Sequence, residues 1–334
     1  MRIKKLYMLF GLSAGICLTG CLGNDIDNDS QNSRPATTVH TTTREAVVEY
    51  TEIIEEPVYD ITTLEETTTT TELMTEEQPE TTTTEEIVED KTNDITDLYN
   101  TINADFSSVV TSGGSYSVKV KALYNDTEFD CGDQSRPMVS ASLIKLYVAG
   151  AVYENYENVK MSQSHEGEVE ELISNMISLS DNDSCNRLVE MLGNGDAASG
   201  MEKVNIFCVA HGFSDTQMNR LMLDFNGLEN YTSVNDCCRF LTIIYNGEMI
   251  GSENILRYMQ AQNTRTKIPA GITDGTLIAN KTGELGNVEN DVAIVYADGG
   301  TYIICVMCNG LSDTTQARSA IANAAADIHE YMKQ

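Results

Sequence analysis

The sequence predicts an α+β domain in which an antiparallel five-stranded sheet is flanked by helices, with an additional all-α lobe. Short stretches of alternating apolar and polar residues, typical of strands, lie near both ends of the domain. A long block with helical periodicity lies between them. Strands at both ends of a helical block favour one sheet with the helices grouped beside it.

The first part of the domain contributes one helix and two strands. Apolar residues recur with helical spacing over 97–106, which predicts the first helix. Residues 116–124 alternate in polarity and predict a strand, and an Asn-Asp turn leads from it into a second strand at 127–129.

The central block is predicted to be helical, with one long loop. The predicted helices are 141–154, two stretches within 168–191, 201–211, 233–245 and 252–262. Gly212 is a suitable residue to end the helix at 211. Residues 212–231 show no clear period and are predicted to form a loop.

The last part of the domain completes the sheet. Three strands are predicted at 277–281, 292–296 and 301–307, and Asp298-Gly299-Gly300 is typical of a hairpin turn between the last two. A final helix is predicted over 314–332. No internal repeat is visible.

The N-terminus indicates export and lipid anchoring. A basic start and a short apolar stretch precede Leu18-Thr19-Gly20-Cys21, as in a secretory signal with a bacterial lipobox. We therefore expect residues 1–21 to be a lipoprotein signal peptide. Cys21 is then lipidated and holds the chain at the extracellular face of the bacterial cell membrane. An ordinary secretory signal with an incidental cysteine is the alternative.

Residues 22–95 are expected to be a disordered linker. The segment is rich in Thr and Glu and has 20 acidic against 3 basic residues, so it cannot bury enough apolar surface to fold. Like charges extend such a chain, which favours a spacer between the membrane and the domain at 96–334. A glycosylated Thr-rich stalk is compatible with this interpretation.

Charge and cysteine content exclude several classes of protein. The net charge of −30 argues against a nucleic-acid partner, because phosphate binding needs a basic surface. Seven cysteines remain after Cys17 and Cys21, an odd set without the regular spacing of a disulfide framework. Cys305 and Cys308 form a C-x-x-C pair, but their apolar surroundings favour buried thiols over a redox or zinc site. The four histidines lack metal-ligand spacing, so we expect neither a metal nor a cofactor.

Three short motifs indicate the chemistry. Ser142 and Lys145 form a Ser-x-x-Lys at the start of a predicted helix, where positions i and i+3 share a face. A partly desolvated lysine there can deprotonate the serine. Ser180-Asp181-Asn182 lies between two predicted helices, and Lys281-Thr282-Gly283 lies at the end of a predicted strand.

In this order and on these elements, the three motifs resemble the penicillin-recognising serine hydrolases, and class A β-lactamases most closely. The resemblance spans nearly all of residues 96–334. It implies that Ser142 is the nucleophile that opens the lactam and Lys145 its base. Ser180 would relay a proton to the leaving nitrogen, and Asn182 would hold Lys145 and the substrate amide.

The resemblance also implies how the substrate is bound. Lys281 and Thr282 would bind its carboxylate, and Gly283 would let an acyl-peptide-like substrate approach the strand closely. The backbone N–H groups of Ser142 and Glu284 would form the oxyanion hole. The implied partners are a β-lactam or a cell-wall peptide, and we expect a monomer.

The sequence departs from the family in two places. Class A enzymes have a loop glutamate that activates the deacylating water, but here Met222 or Leu223 falls at that point. Asp224 and Glu229 are the nearest candidate carboxylates, although each is also a candidate loop-stabilising charge with Arg220 as partner. The segment between Ser142 and Ser180 is shorter than in the family, which predicts a more open cleft.

These features lead to three hypotheses. The first is a class A β-lactamase-like hydrolase acting through acyl-Ser142. The second is a D-alanyl-D-alanine peptidase-like or penicillin-binding cell-wall protein. The third is a non-catalytic surface binding module, which the missing loop glutamate also favours.

Overall fold

A computed structural model describes residues 95–132 and 137–333 of the chain. The predicted signal peptide with Cys21 lies outside the described residues, as does the predicted linker apart from Ile95. Of the helices described, none has the length and apolar character needed to cross a membrane.

Five antiparallel strands form the central sheet, which confirms the predicted fold class. The strands are β1 (Ser115–Ala122), β2 (Glu128–Gly132), β5 (Leu277–Leu285), β6 (Val288–Ala297) and β7 (Gly300–Asn309). Their order is β2-β1-β7-β6-β5, so β5 lies at one edge. Two further short strands, β3 (Met138–Val139) and β4 (Tyr231–Thr232), pair with each other apart from this sheet.

The helices occur where the periodicity predicts them, with three short additions. They are α1 (Ile95–Asp105), α2 (Ser107–Thr111), α3 (Ile144–Glu154), α4 (Tyr156–Lys160), α5 (Glu168–Ser178), α6 (Asn182–Leu192), α7 (Ala197–Ala210), α8 (Val234–Tyr245), α9 (Ser252–Gln260), α10 (Ile268–Gly271) and α11 (Thr314–Met332). Among these, α2, α4 and α10 are too short to give a clear period in the sequence. Helix α7 begins four residues before the prediction because Asp196 caps it, accepting a hydrogen bond from Ser199 N at 2.8 Å.

Each face of the sheet is buried against a different set of helices. Val292 and Ile294 of β6 pack into the cluster that includes α3, α5, α6 and α8. Their neighbours Ala293 and Val295 point to the other face, where α1 and α11 pack. Both faces of the strand are therefore apolar, as expected for a sheet covered on both sides.

Strand β5 is longer than predicted. It continues through the Lys281-Thr282-Gly283 motif to Leu285, because its pairing with β6 is unbroken from Leu277↔Tyr296 to Leu285↔Val288. The motif therefore lies within a regular edge strand and has a fixed backbone.

The seven cysteines of the domain are buried and free, and burial of Cys305 and Cys308 was expected from their apolar surroundings. They are Cys131, Cys185, Cys208, Cys237, Cys238, Cys305 and Cys308.

Candidate active site

Ser142 lies in a tight turn at the start of α3. Residues Ala141–Leu143 form one turn of 3-10 helix that continues directly into α3. The preceding Ala141 has φ +45°, a left-handed conformation that an alanine rarely adopts. Ser142 itself is half-buried. Unusual backbone conformations of this kind concentrate at functional sites, where the surrounding structure holds them in place.

Two contacts from the sheet hold this turn. Asn290 of β6 donates from Nδ2 to Val139 O at 2.9 Å and to Ser140 O at 3.1 Å. From β5, Gly283 packs so closely that a Cβ there would lie 2.6 Å from Ser140 O and 3.2 Å from Ser142 N. The close approach at Gly283 is therefore made by the protein's own turn, which gives a structural reason for glycine at this position.

Lys145, one helical turn after Ser142, is fully buried. Its Nζ donates to Ser180 O at 2.5 Å and to Asn182 Oδ1 at 2.8 Å, and lies 3.4 Å from Ser180 Oγ. Burial lowers the pKa of Lys145 to about 8, so near neutral pH the neutral amine is far more abundant than in an ordinary lysine.

Lys281, in β5, also contacts the hydroxyl of Ser180. Its Nζ donates to Ser180 Oγ at 2.8 Å and to Thr282 O at 2.8 Å. Burial, with the nearby charge of Lys145, holds the pKa of Lys281 well below its ordinary value. Two amines thus meet at one serine hydroxyl, an arrangement through which a proton can pass. Lys145, Ser180, Asn182 and Lys281 are called the lysine floor below.

The Ser180-Asp181-Asn182 motif is shaped by the start of α6. Ser180 has φ +57°, which turns the chain between α5 and α6. Asp181 is the helix cap, and its Oδ2 accepts from Ser184 N at 2.7 Å. The structure therefore gives Asp181 a capping role, while Ser180 and Asn182 face the two lysines.

Residues 211–230, called the wall loop below, form one side of the site. The side chain of Asn186 on α6 holds this loop at Met222. Met222 N donates to Asn186 Oδ1 at 2.8 Å, and Asn186 Nδ2 donates to Met222 O at 3.0 Å. A buried Asn230 joins the end of the loop to its middle, because its Oδ1 accepts from Arg220 N at 3.0 Å and its Nδ2 donates to Arg220 O at 3.1 Å.

The two candidate deacylation carboxylates lie in different surroundings. Glu229 is bound by Arg220, whose Nη2 and Nε lie 2.6 Å and 3.1 Å from Glu229 Oε2. Asp224 is exposed, and its Oδ1 accepts from Asn226 N at 3.0 Å within the loop. The candidate pairing with Arg220 is thus observed for Glu229, and Asp224 makes a local turn instead.

A cavity of about 90 Å³ joins the motifs to the wall loop. It is lined by Ala141, Ser142, Asn182, Arg220, Met222, Leu223, Phe225, Glu229, Asn230, Glu284 and Leu285. The structure therefore brings Ser142, Asn182, Glu229 and Glu284 to one cavity, and Asn182 connects that cavity to Lys145. Asp224 is outside the lining.

Two residues that shape this site had no role predicted from the sequence. Asn290 holds the Ser142 turn, and in the sequence it belongs to the Asn290-Asp291-Val292-Ala293 segment after the third motif, which shares the family resemblance. Lys267 is buried beside Glu284, with their Nζ and Oε1 atoms 2.6 Å apart. Lys267 lies in a polar stretch of the sequence, and nothing in that stretch indicates that its side chain is buried. Over residues 95–132 and 137–333, no group of three or more His, Cys, Asp or Glu side chains is arranged to hold a metal ion.

Comparisons with known proteins agree with this geometry. A family model described as the beta-lactamase enzyme family matches residues 157–332, just over half of the chain. The match includes Ser180-Asp181-Asn182 and Lys281-Thr282-Gly283, and it begins after Ser142 and Lys145. No curated protein is similar enough in sequence to match the chain.

Three solved structures show the same fold at low sequence identity. A β-lactamase from Sphaerobacter thermophilus has a TM-score of 0.59 and 19% identity, covering 70% of this chain and 97% of that one. A leucine-to-glutamate mutant of PBP-A, solved as an acyl-enzyme complex with penicillin G, has a TM-score of 0.61 and 21% identity, covering 71% and 96%. A β-lactamase from Xanthomonas campestris pv. campestris has a TM-score of 0.60 and 17% identity, covering 70% and 98%.

Proposed function

This chain belongs to the beta-lactamase enzyme family, and we propose that it is a serine hydrolase that opens the β-lactam ring through an acyl-Ser142 intermediate. The observation that supports this most is the lysine floor, which reaches the cavity of Ser142 through Asn182. A buried Lys145 with a pKa of about 8 shares the hydroxyl of Ser180 with Lys281. A base with a pKa near the working pH is what general-base activation of a serine requires.

The chemistry follows from these positions. Neutral Lys145 takes the proton of Ser142 Oγ, which attacks the lactam carbonyl carbon. The carbonyl oxygen gains the negative charge and is stabilised by the backbone N–H groups of Ser142 and Glu284. When the C–N bond breaks, Ser180 passes a proton from the lysines to the leaving nitrogen, and an ester on Ser142 remains. Hydrolysis of that ester by water restores Ser142.

A second candidate function is supported by the wall loop. Asn186 binds the backbone of Met222 through two hydrogen bonds, and the residue that lines the cavity there is apolar. The Glu229 carboxylate in the cavity is bound by Arg220.

Glu284, the other acidic residue of the lining, is paired with Lys267. Both acidic residues that line the described cavity are therefore ion-paired, which disfavours a role for either as the base that activates water. This favours a D-alanyl-D-alanine peptidase-like or penicillin-binding cell-wall protein, in which penicillin acylates Ser142 and the resulting ester is hydrolysed only slowly. The leucine-to-glutamate mutant of PBP-A, which shares this fold, was solved as an acyl-enzyme complex with penicillin G.

The test uses the full chain with a fluorescent penicillin and a chromogenic cephalosporin. We expect a covalent label that Ser142→Ala abolishes, a loss on the order of 10⁶-fold in rate as for other serine nucleophiles. Continuing hydrolysis supports the β-lactamase function, and one equivalent of product followed by very slow release supports the penicillin-binding function. No label at all contradicts both and leaves the non-catalytic binding module.

The proposed location is the extracellular face of the bacterial membrane, through lipid on Cys21. The support is the sequence around Cys21 and the Thr- and Glu-rich segment after it. Incorporation of a labelled fatty acid should be lost in Cys21→Ala. Retention of the label in that variant would contradict the anchor.

A further inference from the structure

Glu284 is bound through its side chain on the face of β5 that points away from the Ser142 turn. The preceding residue, Gly283, faces that turn, since a Cβ there would lie 3.2 Å from Ser142 N. Side chains alternate along a strand, so the Glu284 side chain points to the opposite face of β5. On that face, its Oε1 lies 2.6 Å from Nζ of the fully buried Lys267. The strand backbone therefore lies beside Ser142, while the carboxylate of Glu284 is held by Lys267.

Lys267 is itself fixed by a second carboxylate. Its Nζ lies 3.0 Å from Oε2 of Glu289, which is directly opposite Glu284 on β6. Arg318 of α11 binds the other oxygen, with Nη2 2.6 Å from Glu289 Oε1. Like charges opposite each other on neighbouring strands are unfavourable, and Lys267 between the two glutamates removes that repulsion. Lys267 therefore joins the end of β5 to β6 and, through Glu289, to α11.

The contact between Lys267 and Glu284 joins two charged groups. Burial raises the pKa of Glu284, but the hydrogen bond and charge of Lys267 outweigh burial and hold that pKa below its ordinary value. Glu284 is therefore ionised near neutral pH. Hydrogen bonds between charged groups are shorter than neutral ones and about twice as strong. Such a bond can fix the position of Glu284 in β5, which lies at the edge of the described sheet.

The position of Glu284 matters because its backbone N–H is one of the two donors proposed for the oxyanion hole. Such donors stabilise the oxyanion when they are fixed where the charge develops, and loss of one costs about 10²–10³-fold in rate in other enzymes. Small displacements of groups that contact the reacting atoms also slow a reaction. A side-chain contact that fixes Glu284 therefore affects acylation of Ser142 without touching the substrate.

We propose that Lys267 is a positioning residue for the oxyanion hole, which binds the Glu284 side chain and so holds the Glu284 backbone N–H in place beside Ser142. The inference rests on the acylation of Ser142 proposed above. It requires that Glu284 supports the reaction through its contact with Lys267 and not through its charge.

The test compares two variants of Glu284 in the full chain. Glu284→Gln and Glu284→Ala remove the same charge, but the glutamine keeps an oxygen that can accept from Lys267. Lys267 remains paired with Glu289 in both variants, so neither leaves a buried charge without a partner. With fluorescent penicillin, Glu284→Ala should acylate about tenfold more slowly than Glu284→Gln, which is part of the full contribution of one oxyanion-hole donor.

An infrared measurement separates positioning from a change in stability. The lactam carbonyl of penicillin is isotopically labelled, and the stretch of the resulting ester on Ser142 is followed after rapid mixing. Weaker hydrogen bonds from the oxyanion hole move this stretch to higher frequency. It should therefore shift in Glu284→Ala and keep the parent frequency in Glu284→Gln. Arg318→Met breaks another ion pair of the same network and is the control, which should keep the parent rate and the parent frequency.

Lys267→Met breaks the same contact from the other side and should give the same loss as Glu284→Ala. It leaves the buried Glu289 with Arg318 alone, which disfavours folding. Glu284→Ala therefore decides the question even where Lys267→Met does not fold.

The outcomes separate the inference from the proposed function. Equal rates and equal ester frequencies in Glu284→Ala and Glu284→Gln would overturn the inference while acylation of Ser142 stands. A slower rate in Glu284→Ala without a shift in frequency would also overturn it, because Glu284 would then contribute only to stability. Absence of acylation in the parent protein would reject the proposed function and the inference with it.

Discussion

The lysine floor, which reaches the cavity through Asn182, and the wall loop, which lines it, are built in different ways. The floor is set by regular elements, with Lys145 on α3, Asn182 at the start of α6 and Lys281 in β5. Its polar atoms are joined by hydrogen bonds of 2.5 to 2.8 Å. The wall loop has no helix or long strand, and side chains of Asn186 and Asn230 hold its backbone.

This difference in construction corresponds to the two steps of the proposed reaction, acylation and deacylation. Acylation needs a base and a proton path, the roles we propose for Lys145 and Ser180 of the buried floor. Deacylation needs an activated water, and the wall loop presents Met222 and an ion-paired Glu229 where a base would act. The site is therefore better prepared to form an acyl-enzyme than to hydrolyse it.

The largest effect should come from removing the base of the floor. Lys145→Ala is expected to slow acylation of Ser142 by about 10²–10⁴-fold, the contribution of a general base. Fluorescent-penicillin labelling gives the rate, and circular dichroism checks that the fold is intact. Lys160→Ala, on the surface of α4, is the control and should label at the parent rate. If a folded Lys145→Ala protein is labelled at the parent rate, Lys145 is not the base that activates Ser142.

The floor should also give acylation a defined pH dependence. The pKa of Lys145 is lowered by burial to about 8, and only the neutral amine accepts the proton of Ser142. The acylation rate should therefore rise about tenfold per pH unit below pH 8 and level off above it. Stopped-flow measurement of acylation over this range checks the profile. A rate independent of pH below 8 would show that another group is the base.

A base introduced into the wall loop should speed deacylation. Met222→Glu places a carboxylate in the cavity, on a backbone that Asn186 already holds. The lifetime of acyl-Ser142 should shorten about tenfold. This change is smaller than the full contribution of a general base, because the new carboxylate is not optimally placed. The control is Met222→Gln, which has the same shape without the base. An equal lifetime in both variants would mean that water does not reach this side of the ester.

The smallest effects are expected at the carboxylates already in the loop. Asp224→Asn and Glu229→Gln should each change the acyl-enzyme lifetime by less than about twofold, a bound well below the loss expected for a true base. For Glu229→Gln, loss of the partly exposed pair with Arg220 should lower the free energy of unfolding by about 1 kcal/mol or less. A large increase in lifetime in either variant would identify that residue as the deacylating base.

The parts of the fold with long periodic segments were predictable from the sequence, and the parts held by distant contacts were not. Helices α5 and α6 and the linking Ser180-Asp181-Asn182 follow from local pattern. The pairing of β3 with β4 joins Met138 to Thr232, far apart in sequence, and two-residue strands leave no pattern. In the site, the motifs were visible, but the left-handed turn at Ala141 was not, because alanine does not by itself favour that conformation.

Burial of charge was the least predictable feature. Lys267, Glu289 and Asp291 are all fully buried, yet in the sequence each looks like an ordinary polar residue. Their burial depends on partners from other elements. Lys267 needs both Glu284 and Glu289, which come together only when β5 pairs with β6. The Arg220–Glu229 pair was foreseeable as a candidate because both residues belong to one short loop.

The time course of a chromogenic cephalosporin with the full chain tests the central claim most directly. The account predicts that product formation depends on an acyl adduct on Ser142, detected by peptide mass. A steady rate that continues after the first equivalent supports the β-lactamase function, and a burst of about one product per chain with very slow release supports the penicillin-binding function. Product formation that continues unchanged in Ser142→Ala, with no acyl-Ser142 at any time, would contradict the account.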